Sequence, residues 1–253
     1  MASVGKDERN KERIIVWDIS GVHKQEKPQI IAQQTADYNI TTLKFSPVDN
    51  TRLVSCGKEN IRFWRVRETK NIRGSAVKLN QHARDTVFTT FDFDHAQRAG
   101  GMVGMSSGSS FNQDSAQGEQ IRSVYVASKS GMIYQICYWT EKLLKFYQTN
   151  DQAIYAISVN ETFAVIGSED LYLRVWPLDF CEFFMEAKHE GPVCSIDISA
   201  DGRNIACGSL NGSLGVLNKS NQRYTTLLRS HTKTILSMDY HLTRKNLITV
   251  SND

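Results

Sequence analysis

Apolar residues alternate with polar ones in short runs along most of the chain, and turn-forming residues separate the runs. Residues 164–202 show this most clearly: the runs AVIGS and LYLRVW are followed by the turn HEGPV, the run CSIDIS and the turn ADG. Short runs that each end at Gly, Asp, Asn or Pro predict an all-β repeat rather than strand–helix alternation.

The same unit recurs along the chain. One position of a recurring strand is occupied by a tryptophan or a large aliphatic residue, at Trp17, Trp64, Ile136, Trp176 and Leu217. The spacings are 47, 72, 40 and 41 residues, and the longest equals one unit plus an insertion. A period of about 40–45 residues with four strands per unit is typical of WD40 propeller blades.

Polar residues repeat with the same period. In WD40 blades a His, an Asp, a Ser or Thr and the Trp form a hydrogen-bonded tie between strands, because buried polar groups need partners. The predicted members of these structural strand ties are Trp17, Trp64, Asp170, Trp176, His189, His231 and Asp253. The tie is incomplete in most units, since Glu59 and Leu217 replace the expected Asp and Trp.

We therefore expect an all-β fold, a WD40-type β-propeller segment over residues 13–253, with four recognisable blades and a partial blade at each end. The complete units are expected to begin at Ile40, Val87, Ala153 and Gly191. Residues 1–12 are polar and are predicted to be disordered. Residues 96–120 are rich in Gly, Ser and Gln, which predicts a flexible insertion between two strands.

The two partial units predict a fragment of a longer, multi-propeller chain. Pairing of these units with each other would alternatively close a ring of five blades, a number within the range known for propellers.

Composition excludes several classes of protein. The net charge of +3 predicts no nucleic-acid partner, and no apolar run is long enough to predict a membrane span. The six histidines lack metal-ligand spacing, and neither a phosphate loop nor a nucleophile elbow occurs. We therefore expect no cofactor, no metal and no enzymatic activity. The five cysteines are odd in number and lack a C-x-x-C pair, which favours free thiols in a reducing compartment.

The stretch RFWRVRETKNIR, residues 62–73, is the most interesting surface feature. Its cations are Arg62, Arg65, Arg67, Lys70 and Arg73, against Glu68 alone. Some of these side chains would lie on the outer side of a blade, where an acidic partner such as a tubulin tail could bind by long-range attraction. The alternative is a solvated strand and turn, since scattered surface charge is ordinary.

Four segments carry a more specific signal: IGSEDLYLRVWPLDF, EAKHEGPVCSIDISADG, RSHTKTIL and LVSCGKENIRFWRVR. With them, residues 41–253 resemble the WD repeat-containing protein 90 family of centriolar and ciliary WD40 proteins. The resemblance implies a non-catalytic scaffold of the centriole or cilium inner scaffold, which supports centriole integrity and cilium assembly. It also implies location in the cytoplasm and cytoskeleton, at the centriole, basal body or cilium, with centriolar scaffold proteins or tubulin as partners.

Two other functions compete with this scaffold role, because propellers carry many functions. One is a generic WD40 adaptor that presents peptide ligands at its top face in signalling or ubiquitin transfer. The other is an enzyme, which would need acids or histidines that converge from the inner-strand ends of several blades. We find no such repeat in the sequence.

Overall fold

The computed structural model describes residues 1–22, 27–67, 71–94, 122–227, 231–241 and 246–253. This part of the chain consists of β-strands joined by turns, with one 3-10 turn at Asn80–Ala83. The strands form antiparallel sheets of two to four strands, each in sequence order. The predicted insertion at 96–120 and Lys70 lie outside the described residues.

The first three sheets follow one another along the chain. The N-terminal sheet contains β1 (Ala2–Lys6), β2 (Glu12–Asp18) and β3 (Gln29–Ala36). Blade 1 contains β4 (Ile40–Phe45), β5 (Arg52–Gly57), β6 (Asn60–Val66) and β7 (Ile72–Ala76). Blade 2 contains β8 (Phe88–Phe93), β9 (Ser123–Ser128), β10 (Met132–Cys137) and β11 (Leu143–Gln148).

The remaining sheets continue the series. Blade 3 contains β12 (Ile154–Val159), β13 (Phe163–Ser168), β14 (Tyr172–Pro177) and β15 (Met185–Lys188). Blade 4 contains β16 (Val193–Ile198), β17 (Asn204–Ser209), β18 (Leu214–Asn218) and β19 (Arg223–Leu227). The C-terminal sheet contains β20 (Ile235–Tyr240) and β21 (Leu247–Ser251). The predicted four blades, flanked by two smaller sheets, are confirmed.

The first residues form a strand, so the prediction of disorder for residues 1–12 is wrong. All of β1 pairs with β2. The Asp7 carboxylate accepts two backbone amides of the connecting turn, each at 2.9 Å. Ala2 and Val4 pack against the cluster shared with blade 1. The polar sequence does not indicate this strand, because the strand is stabilised by its partners and not by the β propensity of its own residues.

Apolar side chains are buried between consecutive sheets. Between blades 1 and 2, for example, Val54 and Phe63 pack in one cluster with Phe91 and Tyr138. Similar clusters lie between each of the other neighbouring pairs of sheets. The first strand of each blade contacts the first strand of the next, so β4, β8, β12, β16 and β20 surround a central channel.

Gly74 provides a test of this packing. It lies opposite Trp64 across β6 and β7, and a Cβ at Gly74 would come within 2.6 Å of two carbons of the buried indole. We expect Gly74→Ala to lower the free energy of unfolding by about 1–3 kcal/mol, as overpacking of a dense site does. Denaturant titration measures this change.

Gly5→Ala is the matched control, because nothing lies within 4 Å of a Cβ at Gly5 in β1. This variant should keep the wild-type denaturant midpoint. Equal midpoints for the two alanine variants would contradict the packing described for Gly74.

Candidate functional site

Two tryptophans donate a hydrogen bond from the indole nitrogen to a serine on the neighbouring strand. Trp64 Nε1 donates to Ser55 Oγ at 2.6 Å in blade 1. Trp17 Nε1 donates to Ser3 Oγ at 2.8 Å in the N-terminal sheet. The two sheets thus share one arrangement, although Ser3 lies in the segment predicted to be disordered.

Trp176 does not make this hydrogen bond, so the prediction that it joins a hydrogen-bonded tie is wrong. Its indole nitrogen is buried without a partner. The strand register explains why: Ile166 occupies in β13 the place that Ser55 occupies in β5, and it offers no acceptor. The indole ring instead packs against Phe180 and Phe183.

Asp170 holds the turn between β13 and β14. Its carboxylate accepts hydrogen bonds from the Ser168 hydroxyl, from the Tyr172 amide at 3.0 Å and from Arg174 Nη1 at 2.6 Å. It also accepts one from Asn150 Nδ2, in the loop before β12, at 3.2 Å. Burial raises the pKa of this carboxyl, but the hydrogen bonds and the Arg174 charge outweigh burial and lower the pKa overall.

His189 is 2% exposed and lies in the connection between β15 of blade 3 and β16 of blade 4. Its Nε2 lies 3.2 Å from the Ser213 carbonyl oxygen and therefore donates. Its Nδ1 then accepts the hydroxyl of Tyr224, a residue that stands opposite Leu217. Burial lowers the pKa of the imidazole, so the ring is neutral near pH 7. Tyr224 is a tie residue that we did not predict.

His231 and Asp253 meet in the C-terminal sheet. His231 Nδ1 lies 3.0 Å from Asp253 Oδ1, and Nε2 lies 2.9 Å from Thr249 Oγ1. The Thr232 amide, at 2.6 Å, is the largest cause of the strongly lowered pKa of the Asp253 carboxyl. The two residues therefore connect the loop before β20 to the end of β21.

One mouth of the central channel is lined by carboxylates from three inner strands, Asp92, Asp197 and Asp239, beside a cavity of about 510 Å³. Our expectation of no repeated acid at the inner-strand ends is therefore wrong. In the sequence, these acids could have been found at one repeated position, the residue just before the last residue of each inner strand. These residues are Lys44, Asp92, Ser158, Asp197 and Asp239.

Two of these carboxylates bind the backbone of the next inner strand. Asp92 Oδ2 accepts the Val159 amide at 2.9 Å, and Asp92 Oδ1 lies 3.3 Å from Lys44 Nζ. Asp197 Oδ2 accepts the Tyr240 amide at 2.5 Å. Burial raises the pKa of Asp197 to about 6. The geometry therefore gives Asp92 and Asp197 the role of ties between inner strands.

The predicted basic surface is divided between the two faces of blade 1. Arg62 lies on the face of Trp64, since residues two apart in a strand share a face. Its guanidinium pairs with Asp37 at 2.7 Å and lies 5.1 Å from the Tyr38 ring centroid, and its side chain is only 19% exposed. Arg62 is therefore engaged within the fold, which contradicts its assignment to a free surface.

Arg65, Arg67 and Arg73 are exposed. Arg65 lies on the opposite face from Arg62, directly across from Arg73 of β7. These three residues keep a candidate role in binding, whereas Lys70 falls outside the described residues.

The described ranges contain no group of three or more His, Cys, Asp or Glu side chains that could hold a metal ion. No helix in them is long and apolar enough to cross a membrane. The five cysteines are free, and Cys181 is exposed in a loop rather than buried in a strand.

The four blades around a channel define a WD40-type β-propeller. The WD domain, G-beta repeat family matches residues 183–216. The chain is similar to WD repeat-containing protein 90 of Xenopus tropicalis, at 35% identity over 100% of this chain and 14% of that protein. It is also similar to Centriole proteome protein 16 of Chlamydomonas reinhardtii, at 33% identity over 91% of this chain and 11% of that protein.

The human WD repeat-containing protein 90 is 29% identical over the whole chain. The resemblance predicted from the sequence is thus confirmed, and the chain spans 11–14% of the length of these relatives. Two solved structures share the fold. One is a chain of the mitotic checkpoint complex, with a TM-score of 0.68, 12% identity and coverage of 99% of this chain and 66% of that chain. The other is the β-propeller domain of Myceliophteria thermophila Cps50 (Swd1), with a TM-score of 0.70, 11% identity and coverage of 99% and 79%.

Loss of the Asp170 carboxylate should weaken blade 3. Asp170→Ala leaves the Ser168 hydroxyl and the Tyr172 amide without their acceptor, and we expect a loss of about 1–3 kcal/mol in the free energy of unfolding. Denaturant titration measures it, with Asp151→Ala at an exposed turn as the control. An unchanged midpoint for Asp170→Ala would refute the role of this carboxylate as a tie.

Asp197 should make stability depend on pH. Folding raises its pKa from 3.8 to about 6, so the ionised form is disfavoured in the folded state. The penalty is absent below the unfolded pKa and is complete above the folded pKa. Asp197→Asn keeps an acceptor for the Tyr240 amide and should add about 1 kcal/mol near pH 8, a figure reduced for partial exposure.

This gain should vanish as the pH falls well below 3.8, where the wild-type carboxyl is protonated in both states. Urea titrations across this pH range measure the difference, and Asp151→Asn is the control. A gain that is the same at both ends of the range would show that the Asp197 charge is not its source.

Proposed function

We propose that this chain is a non-catalytic scaffold and interaction module of the centriole or cilium inner scaffold, where it supports centriole integrity and cilium assembly. The observation that carries the proposal is the similarity of 91% of the chain to a relative whose name refers to the centriole. Similarity over the full chain to WD repeat-containing protein 90 of three vertebrates supports it.

The non-catalytic part of the proposal is supported by the contacts of the polar side chains. Asp170, His189 and His231 each hold neighbouring strands or turns through hydrogen bonds. Asp92 and Asp197, at the mouth of the channel, each accept a backbone amide of the next blade. These contacts give each of the five side chains a structural role, which supports a non-catalytic module.

The proposed partners are other proteins, namely centriolar scaffold proteins or tubulin. The proposed location is the cytoskeleton of the cytoplasm, at the centriole, basal body or cilium. The exposed cations Arg65, Arg67 and Arg73 offer a surface to an acidic partner, and propellers generally present such surfaces to other proteins.

Microscopy tests this function. The endogenous protein, tagged and imaged in physically expanded cells against tubulin, should give a signal confined to the inner wall of centrioles or basal bodies. The tag expressed alone is the control for background. A diffuse cytosolic or nuclear signal would contradict the centriolar role and would leave a generic WD40 adaptor that binds peptide ligands.

A further inference from the structure

Three arginines lie in a row across blade 1. The register places Arg52 of β5 opposite Arg65 of β6, and Arg65 opposite Arg73 of β7. Residues directly opposite each other on antiparallel strands share a face, about 5 Å apart. Like charges placed in this way repel and destabilise the sheet. We call these three residues the arginine row.

An exposed indole borders the arginine row. Arg52 Nη2 lies 3.3 Å from Glu141 Oε1, in the turn after β10, and the guanidinium lies 5.0 Å from the Tyr138 ring centroid. Tyr138 in turn makes an edge contact with Trp139, at 5.1 Å between ring centroids. Trp139 is 60% exposed, which is unusual for so large an apolar side chain.

The positive charge of the row is only partly neutralised. Glu141 pairs with Arg52, and no carboxylate of the described residues lies within 4 Å of Arg65 or Arg73. Among the described residues, Asp49 is a further acid that the charges of the row affect. Burial raises its pKa, but hydrogen bonds from Thr51 and the charges of Arg52 and Arg65 lower the pKa overall.

One hydrogen-bond donor of Arg52 has no acceptor among the described residues. The residue is 9% exposed, and the donor without a partner is its Nη1. A buried donor of a charged group without a partner is costly. Because this atom is buried and the guanidinium is held by Glu141 and Tyr138, Arg52 adds positive charge to the row but does not itself contact a ligand.

We propose that the two exposed members of the arginine row, Arg65 and Arg73, bind an acidic, extended segment of a partner protein together with Trp139. Guanidinium groups form paired hydrogen bonds with carboxylates. Alternate side chains of an extended peptide lie about 7 Å apart, within reach of arginines on neighbouring strands. An apolar residue beside the acids would pack on the indole of Trp139.

This surface deepens the interaction role proposed above and rests on it. Nucleic acid fits the surface less well, because a net charge of +3 is small for a protein that binds a phosphate backbone. The proposed surface also differs from the stretch predicted at residues 62–73, since it adds the exposed Trp139 and excludes Arg62.

Fluorescence anisotropy with a labelled peptide of alternating Glu and Ser tests the surface, and a peptide with Gln in place of Glu is the neutral probe. The wild-type chain should bind the Glu peptide, less tightly as salt rises. Arg65→Glu with Arg73→Glu should weaken binding about tenfold or more. The matched control is Arg203→Glu with Arg223→Glu, at two exposed positions of blade 4, and it should bind as the wild type does.

Arg65→Gln with Arg73→Gln removes the charge without reversing it and serves if the reversed variant fails to fold, as judged by circular dichroism. Equal losses in the row and control variants, equal binding of the Glu and Gln peptides, or no binding by the wild type would overturn the proposal. Stronger binding of a short DNA duplex than of the Glu peptide would overturn the peptide as ligand. None of these results bears on where the protein lies in the cell, which the microscopy tests separately.

Discussion

The constraint on which the structure depends is that each of the four blades is apolar on both faces and must be stacked between neighbouring sheets. The spacing of the stack is set where inner strands meet. Thr41 Oγ1 donates to the Phe88 carbonyl at 2.7 Å, and Thr89 Oγ1 donates to the Ile154 carbonyl at 2.6 Å. Near the other end of these strands, Asp92 accepts a backbone amide of β12. Polar groups inside the fold are thereby used to join blades.

This use of polar groups explains where recognition can occur. Arg62 lies on the face of blade 1 that is shared with the N-terminal sheet. There its guanidinium pairs with Asp37 and lies over the rings of Tyr38 and Trp64. Three residues later on the same strand, Arg65 faces the opposite side and meets a second arginine instead of an acid. The two faces of β6 thus carry cations in different environments: Arg62 is engaged within the fold, whereas Arg65 is exposed.

The sequence predicted the blades because alternation, turn residues and a period of about 40 residues are local signals. It did not predict the features that depend on pairing between distant residues. β1 is stabilised by β2 and blade 1, and the tie at Trp176 fails because Ile166 occupies the position at which blade 1 has the serine acceptor. The acids of the channel mouth are far apart in sequence and meet only because inner strands converge.

The incomplete ties show how blades tolerate degenerate motifs. In blade 1 the Trp64 ring lies over Gly74 of the outer strand. Blade 4 has Leu217 in place of the tryptophan, and here the aromatic ring comes from Tyr224 on the outer strand and lies over Gly215 of β18. A large ring against a glycine on the adjacent strand fills the same space from either side. Blades 1 and 4 therefore need a packed ring at this place, but not a particular residue at one position.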